Sequence, residues 1–109
     1  MKNHIFAMTF FLVAAACTWA QPSGDYPDSA KFLAGLCKNY DTSAIDAGYC
    51  LGYVSGVAAS VPDCEREHVT KAQEVKVFQK YIDDHPEELD KTAASVIRNA
   101  LLKAFPCSK

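Results

Sequence analysis

Three glycines spaced four residues apart, Gly48, Gly52 and Gly56, most constrain what this chain can fold into. They lie in an uncharged apolar segment, and on a helix they fall along one side. Each glycine inside a helix costs roughly 1 kcal/mol relative to alanine, so three on one stripe indicate that another backbone packs closely there. The segment predicts a central helix with these glycines as its helix-packing residues. It is shorter than the roughly 20 apolar residues that a membrane span needs.

The first twenty residues have the organisation of a secretory signal peptide. Lys2 and His4 precede an apolar run from Ile5 to Cys17, and Thr18-Trp19-Ala20 provides a small-residue cleavage site. We therefore expect export to the periplasm. The alternative is a lipoprotein, in which Ala14-Ala15-Ala16-Cys17 is the cleavage site and Cys17 carries the lipid anchor.

The chain length allows one domain after this leader. Residues 1–20 are predicted to be the signal peptide. Residues 21–27, rich in turn-forming residues, are predicted to be a flexible mature N-terminus. Residues 28–109 are predicted to form a single helical domain.

Removal or lipidation of Cys17 leaves four cysteines. They are Cys37, Cys50, Cys64 and Cys107. An even number of cysteines in a short exported chain indicates two disulfides, although the count alone permits three pairings. Two disulfides would also compensate for the small core of a domain of this size.

Capping residues and helical periodicity predict four helices. The expected helices run from Asp28-Ser29 to about Tyr40, from Ser43 to about Val61, from Thr70 to about Asp84, and from the His85-Pro86 boundary to Phe105. No segment alternates apolar and polar residues over the length of a strand. The fold class is all-α, a small disulfide-stapled bundle of about four helices.

The predicted helix directions favour one disulfide pairing. Short loops make consecutive helices antiparallel, so the second and fourth helices run in the same direction. Cys64 and Cys107 each follow the end of one of these helices. We therefore favour Cys64–Cys107, which leaves Cys37–Cys50 to join the first two helices.

Charge and motifs point to binding rather than catalysis. The formal net charge is −2, and about −3 once Lys2 is removed with the leader, which argues against a nucleic-acid partner. Cys64 and His68 alone do not make a metal site, and cysteines that pair evenly leave no thiolate nucleophile. The sequence contains no phosphate-binding loop or hydrolase motif. We expect no enzymatic activity, no metal and no cofactor.

Two charge-rich breaks between helices are the candidate contact sites for a protein partner. Their charged residues are Asp63, Glu65, Arg66 and His68 in the first break, and Asp83, Asp84, Glu87, Glu88 and Asp90 in the second. The second break would suit a basic partner. The alternative is that these charges are solvated helix ends with no partner.

Three segments of the sequence, taken together with their order and spacing, resemble a known protein family. They are Tyr49–Val57, then Val69-Thr70 with Gln73 and the Tyr81–Glu87 turn, then Ala100–Cys107. Together they resemble the Rap/Tai family of periplasmic immunity proteins, which protect bacteria from peptidoglycan amidases delivered by type VI secretion. The resemblance extends from Cys37 to Cys107.

The resemblance implies a helical, disulfide-bonded homodimer that binds a cognate amidase effector and occludes its Cys-His active site. Two other classes remain open on the sequence. One is an acid-stress periplasmic chaperone, and the other is a small helical carrier of an apolar ligand. The predicted rigidity of the bundle favours the inhibitor, because occlusion needs a preorganised surface and no chemistry.

Overall fold

The computed structural model describes residues 27–107, which form four α-helices and one short 3₁₀ helix. Their bounds are α1 Ala30–Lys38, α2 Ala44–Ala58, α3 Lys71–Asp84, the 3₁₀ helix Pro86–Glu88, and α4 Ala93–Ala104. No strand occurs in this part of the chain, and the prediction of an all-α bundle is confirmed. The predicted signal peptide and the lipidation site at Cys17 lie outside the described residues.

Side-chain caps explain where three of the helices begin. The Ser29 hydroxyl accepts a hydrogen bond from the backbone N–H of Phe32, and the Ser43 hydroxyl accepts one from that of Asp46. Thr70 and Gln73 form the predicted capping box, in which each side chain accepts from the other residue's backbone N–H. Each cap satisfies N–H groups that have no partner inside the helix.

The prediction of one continuous helix from Pro86 to Phe105 is wrong, because α4 begins only at Ala93. In a continuous helix the Ala93 N–H would donate to the Leu89 carbonyl. Instead it donates to the Asp28 carbonyl at 2.8 Å, and the Leu89 carbonyl accepts from Lys31 at 3.0 Å. The Lys91 carbonyl likewise accepts from the N–H of Ala30. The starts of α1 and α4 are thus joined by backbone hydrogen bonds, which interrupt the helix.

The hydrophobic core lies where the inner faces of all four helices meet. Its fully buried side chains include Leu33, Cys37, Cys50, Val54, Phe78, Val96, Ile97 and Leu101. The disulfide Cys37–Cys50 lies inside this core and joins α1 to α2. A second disulfide, Cys64–Cys107, joins the segment after α2 to the segment after α4. This is the pairing that the helix directions favoured.

The glycines of α2 do not pack against another helix of this chain, so that prediction is wrong within the described residues. Gly48, Gly52 and Gly56 are exposed, and a Cβ atom built on any of them meets nothing within 4 Å. The buried side of α2 is instead the stripe that carries Cys50 and Val54. Periodicity placed the two stripes correctly on the helix but could not say which one faces the core.

Within residues 27–107, no helix is long and apolar enough to cross a membrane.

Candidate functional site

The two charge-rich breaks of the sequence are separate surfaces in the structure. We call residues 59–70, between α2 and α3, the Cys64 loop. We call residues 83–92, between α3 and α4, the α3–α4 corner. Both segments are rich in charged side chains. The two segments differ in how many of these side chains are buried in contacts within the chain.

Arg66 fixes the Cys64 loop from the inside. Its side chain is buried, and its guanidinium donates through Nη2 to the carbonyls of Ala58, Val61 and Pro62 at 3.1, 2.9 and 3.3 Å. Through Nη1 it donates to the Glu74 carboxylate at 3.2 Å. These contacts add a charged donor to the backbone carbonyls that follow the end of α2, of which those of Ala58 and Pro62 also accept from the N–H groups of Val61 and Cys64. They leave Arg66 little surface for contacting a partner.

The partner of Arg66, Glu74, is buried as well. Only 8% of this residue is exposed, although Lys71, Lys76 and Lys80 on the same helix face water. Burial raises the pKa of Glu74, and the nearby charges of Arg66 and Lys71 lower it only in part. The pair is therefore a structural ion pair that holds the loop against α3.

The remaining predicted contact residues of the loop face solvent. Asp63, Glu65 and His68 are exposed, and Asp63 lies 3.8 Å from the Arg66 guanidinium. Glu65 has a φ of 56°, a left-handed conformation that side chains other than glycine rarely adopt. The neighbouring disulfide of Cys64 helps to hold this turn.

The α3–α4 corner carries its carboxylates outward. Asp83, Asp84, Glu87 and Asp90 are exposed. Glu88 differs from the others, because its side chain is only 13% exposed and accepts a hydrogen bond from Lys91 at 3.3 Å. Four of the five predicted contact residues of the corner are therefore available to a partner.

His85 lies in the corner and contacts both Glu87 of the corner and Lys103 of α4. Its Nδ1 is 3.2 Å from the Glu87 carboxylate, and its Nε2 is 3.2 Å from the Lys103 ammonium. An ammonium can only donate, so Nε2 accepts and Nδ1 donates to Glu87. The His85 ring also packs on Tyr81, with 4.3 Å between ring centroids.

A groove runs beside this cluster between α3 and α4. Its volume is about 220 Å³, and its lining residues are Val77, Lys80, Tyr81, Asp84, His85, Ala100, Lys103 and Ala104. The lining therefore combines apolar side chains with charged ones. Protein interfaces combine an apolar core with a polar rim in a similar way.

Two exposed carboxylates of the corner, Asp84 and Glu87, are held in their charged form. A hydrogen bond from Lys80 at 2.9 Å lowers the pKa of Asp84. The pKa of Glu87 is lowered first by its own backbone N–H and then by His85. At neutral pH the corner therefore presents fixed negative charges next to an apolar groove.

The described residues offer little for catalysis. Cys37, Cys50, Cys64 and Cys107 are all in disulfides, which removes the thiolate nucleophile. No group of three or more histidine, cysteine or acidic side chains in residues 27–107 is arranged to hold a metal. The geometry suits recognition of another protein.

The sequence did not identify several residues of this surface. Lys80 could have been found from its four-residue spacing to Asp84 on α3. Lys103 could not, because it reaches His85 only through the packing of α4 against α3. Tyr81 packs against the core and also lines the groove.

In a comparison with protein families, the family model described as Rap1a immunity proteins matches residues 29–107. The matched range includes both charge-rich segments and all four helices. Comparison with curated proteins and with solved structures found no match.

Proposed function

Because the chain belongs to the Rap1a immunity protein family, which implies periplasmic immunity against a type VI effector, we propose that it protects by binding a cognate peptidoglycan amidase and occluding its active site. The inhibitor does no chemistry in this scheme. It places a rigid surface over the cleft that the substrate would occupy.

The observation that supports this function best is the α3–α4 corner. It combines exposed carboxylates with an adjoining apolar groove, which together supply charge for recognition and a pocket for an anchoring side chain. The Cys64 loop is the weaker candidate, since its largest charged side chain, Arg66, is occupied by four contacts within the chain.

The corner is also held rigidly by the rest of the fold. Backbone hydrogen bonds join the corner to the start of α1. Tyr53 of α2 donates to the Asp28 carboxylate at 2.6 Å, which ties the same region to a third helix. A surface that is ordered before binding loses less conformational entropy when it binds.

Charge supports association with a basic partner. The formal net charge of the chain is −2, and Asp83, Glu87 and Asp90 add local negative charge at the corner. Complementary charge raises the rate of encounter more than it raises the final affinity. We therefore expect the amidase to be basic around its cleft.

Export by the predicted signal peptide and assembly into a homodimer complete the proposal. The signal peptide is read from the sequence, and the homodimer is what the family resemblance implies.

The test is co-expression in the periplasm with a candidate amidase, scored by cell lysis. We expect the unaltered protein to prevent lysis and the triple variant Asp83→Lys, Glu87→Lys, Asp90→Lys to fail. A second variant reverses charge in the Cys64 loop through Glu65→Lys and Glu67→Lys. Asp41→Lys, an exposed acid between α1 and α2, is the matched control.

Each outcome of this test decides between surfaces. Loss of protection in the corner variant alone supports the corner. Loss in the loop variant alone would move the site to the Cys64 loop. Full protection by all variants would reject both surfaces, and lysis in the presence of the unaltered protein would reject that amidase as the target.

A further inference from the structure

We infer that the groove between α3 and α4 binds a glutamate side chain of the effector, and that Lys103 selects this side chain by pairing with its carboxylate. The inference rests on the proposed function and names the group that enters the groove. It adds one acidic contact to an effector surface that is otherwise expected to be basic. Attraction by the net charge of the corner and anchoring by this carboxylate are therefore different properties of the same surface.

Lys103 is a cation without a carboxylate partner among the described residues. Its exposed side chain donates to Nε2 of His85 at 3.2 Å and lies 5.9 Å from the centre of the Tyr81 ring, and it forms no ion pair in this part of the chain. The other lysine of the groove, Lys80, is paired with Asp84 at 2.9 Å. The lining of the groove therefore carries one positive charge that no carboxylate of the described residues balances.

The present partner of Lys103 can be exchanged for a carboxylate. Nε2 of His85 accepts as part of a neutral imidazole. A hydrogen bond between an ammonium and a carboxylate is shorter and stronger, because both groups are ionised. After the exchange Nε2 would lose its donor, but the His85 side chain is 28% exposed, so water can replace it. An incoming carboxylate can therefore take the Lys103 ammonium without leaving a buried polar group unpaired.

The size and lining of the groove fit one aliphatic side chain. Its volume of about 220 Å³ is below the roughly 300–1,000 Å³ of clefts that bind small-molecule ligands. Beside Lys103 the lining is apolar and consists of Val77, Tyr81, Ala100 and Ala104. A side chain with a methylene stem and a terminal carboxylate can bury the stem there and reach the ammonium. Glutamate has one methylene group more than aspartate and therefore buries more apolar surface.

This contact differs in effect from the acidic residues of the corner. Exposed charges mainly change the rate at which two proteins meet, whereas a hydrogen-bonded charge pair inside an interface mainly changes the rate at which they separate. Asp83, Glu87 and Asp90 would attract any basic effector. Lys103 would retain the effector that places a glutamate at the groove, and it would repel one that places a lysine or arginine there.

The first test measures the groove without any effector. The probes are N-acetylglutamate N-methylamide, its uncharged glutamine analogue, and acetate, which has the carboxylate without the stem. Each is titrated into the unaltered protein at constant ionic strength while NMR follows the backbone amide signals. We expect the glutamate probe to shift the signals of His85, Lys103 and Ala104 with millimolar affinity. The glutamine probe should leave them in place, and acetate should shift them less.

Lys103→Met keeps most of the apolar stem and removes the charge, so it should abolish the response to the glutamate probe. Arg98→Met is the matched control, because Arg98 is an exposed cation on the same helix that does not line the groove. This control should respond as the unaltered protein does.

The second test measures the kinetics of binding to the amidase that the unaltered protein neutralises. Lys103→Glu makes the corner more acidic, so attraction to a basic effector alone predicts tighter binding. The carboxylate anchor predicts the opposite, a complex weakened by about tenfold or more, mainly through faster dissociation. Arg98→Glu makes the same change of charge outside the groove and should not speed dissociation. Circular dichroism of each variant verifies the fold.

The outcomes separate this inference from the proposed function. The absence of shifts with the glutamate probe, or equal shifts with the glutamine probe or with acetate, overturns the inference. So does an amidase that binds Lys103→Glu as tightly as the unaltered protein or more tightly. If no amidase is neutralised by the unaltered protein while the glutamate probe still shifts the groove signals through Lys103, the proposed function fails and recognition of the glutamate side chain by the groove stands.

Discussion

The Cys64 loop and the α3–α4 corner are both rich in charged residues, yet the central charge of the loop points inward, whereas those of the corner face water. In the loop, Arg66 is buried against Glu74 of α3 and holds the backbone together. In the corner, Asp84 and Glu87 face water and pair with Lys80 and His85 at the surface. Charge-rich composition therefore marks a break between helices without revealing whether its charges stabilise the fold or remain available to a partner.

The difference can be tested through the free energy of unfolding. Substitutions that remove the buried contacts of the Cys64 loop should lower the free energy of unfolding. Substitutions of the exposed charges at the α3–α4 corner should leave it nearly unchanged. The following predictions run from the largest expected change in stability to the smallest.

Replacing Arg66 by alanine should destabilise the protein by about 3–5 kcal/mol, because it leaves the buried Glu74 carboxylate without its cation and removes one donor from each of three carbonyls. Urea unfolding measures the change. The double variant Arg66→Met, Glu74→Leu should recover part of the loss, since it removes the unpaired charge. A loss below 1 kcal/mol, on the scale of an exposed ion pair, would contradict the structural role assigned to Arg66.

Replacing Cys64 and Cys107 by serine should cost about 2–4 kcal/mol, because this bond closes a long loop and anchors the turn at Glu65. The sequence separation is 43 residues, against 13 for Cys37–Cys50. In the chain-entropy model the longer loop contributes about 1 kcal/mol more than the shorter one. Thermal unfolding of both serine pairs compares them. Unchanged stability on loss of Cys64–Cys107 would show that Arg66 alone holds the loop.

Acidification should affect the two regions with opposite signs. The pKa of Glu74 is raised, so its contribution to stability is greatest below the unfolded pKa and is lost as the pH rises through the folded pKa. The pKa values of Asp84 and Glu87 are lowered, so their contributions are present above the unfolded pKa and are lost as the pH falls through the folded pKa. NMR titration of the carboxyl carbons measures all three. Glu74→Gln should remove the contribution of Glu74 to the pH dependence of stability and leave the contributions of Asp84 and Glu87 unchanged. A Glu74 pKa at or below its ordinary value would contradict the prediction.

Breaking the exposed pair Lys80–Asp84 should leave the free energy of unfolding nearly unchanged, because surface ion pairs contribute little in water. Asp84→Asn tests this by urea unfolding. In the amidase assay the same variant removes a charge that lines the groove and should slow complex formation. A stability loss as large as that of Arg66→Ala would remove the distinction between the two regions.

Much of the fold could be predicted from local signals in the sequence. Ser29, Ser43 and the Thr70–Gln73 pair begin their helices as predicted, because capping depends on residues only three positions apart. Helix type followed from periodicity in the same way. Helix ends were less accurate, since α1 and α2 finish two to three residues before the predicted limits at Tyr40 and Val61.

Features that depend on distant parts of the chain could not be predicted. The late start of α4 results from backbone hydrogen bonds to residues some sixty positions earlier, such as Ala93 to Asp28. Whether the glycines of α2 face the core or the solvent depends on which side of α2 packs against the other helices. The burial of Glu74 depends on Arg66 reaching it from the loop. The candidate site could not be predicted in full for the same reason, because Lys103 contacts His85 only once α4 has packed against α3.

The backbone hydrogen bonds between the starts of α1 and α4 have a consequence for local opening of the native state. The N–H groups of Ala30, Lys31 and Ala93 are protected by the same contact, so their exchange with solvent deuterium should occur in one cooperative event. A protein that clamps the corner would then slow exchange at the first turn of α1, far away in sequence. Deuterium uptake at Ala30 and Lys31 would thereby report occupancy of the corner without any label placed on it.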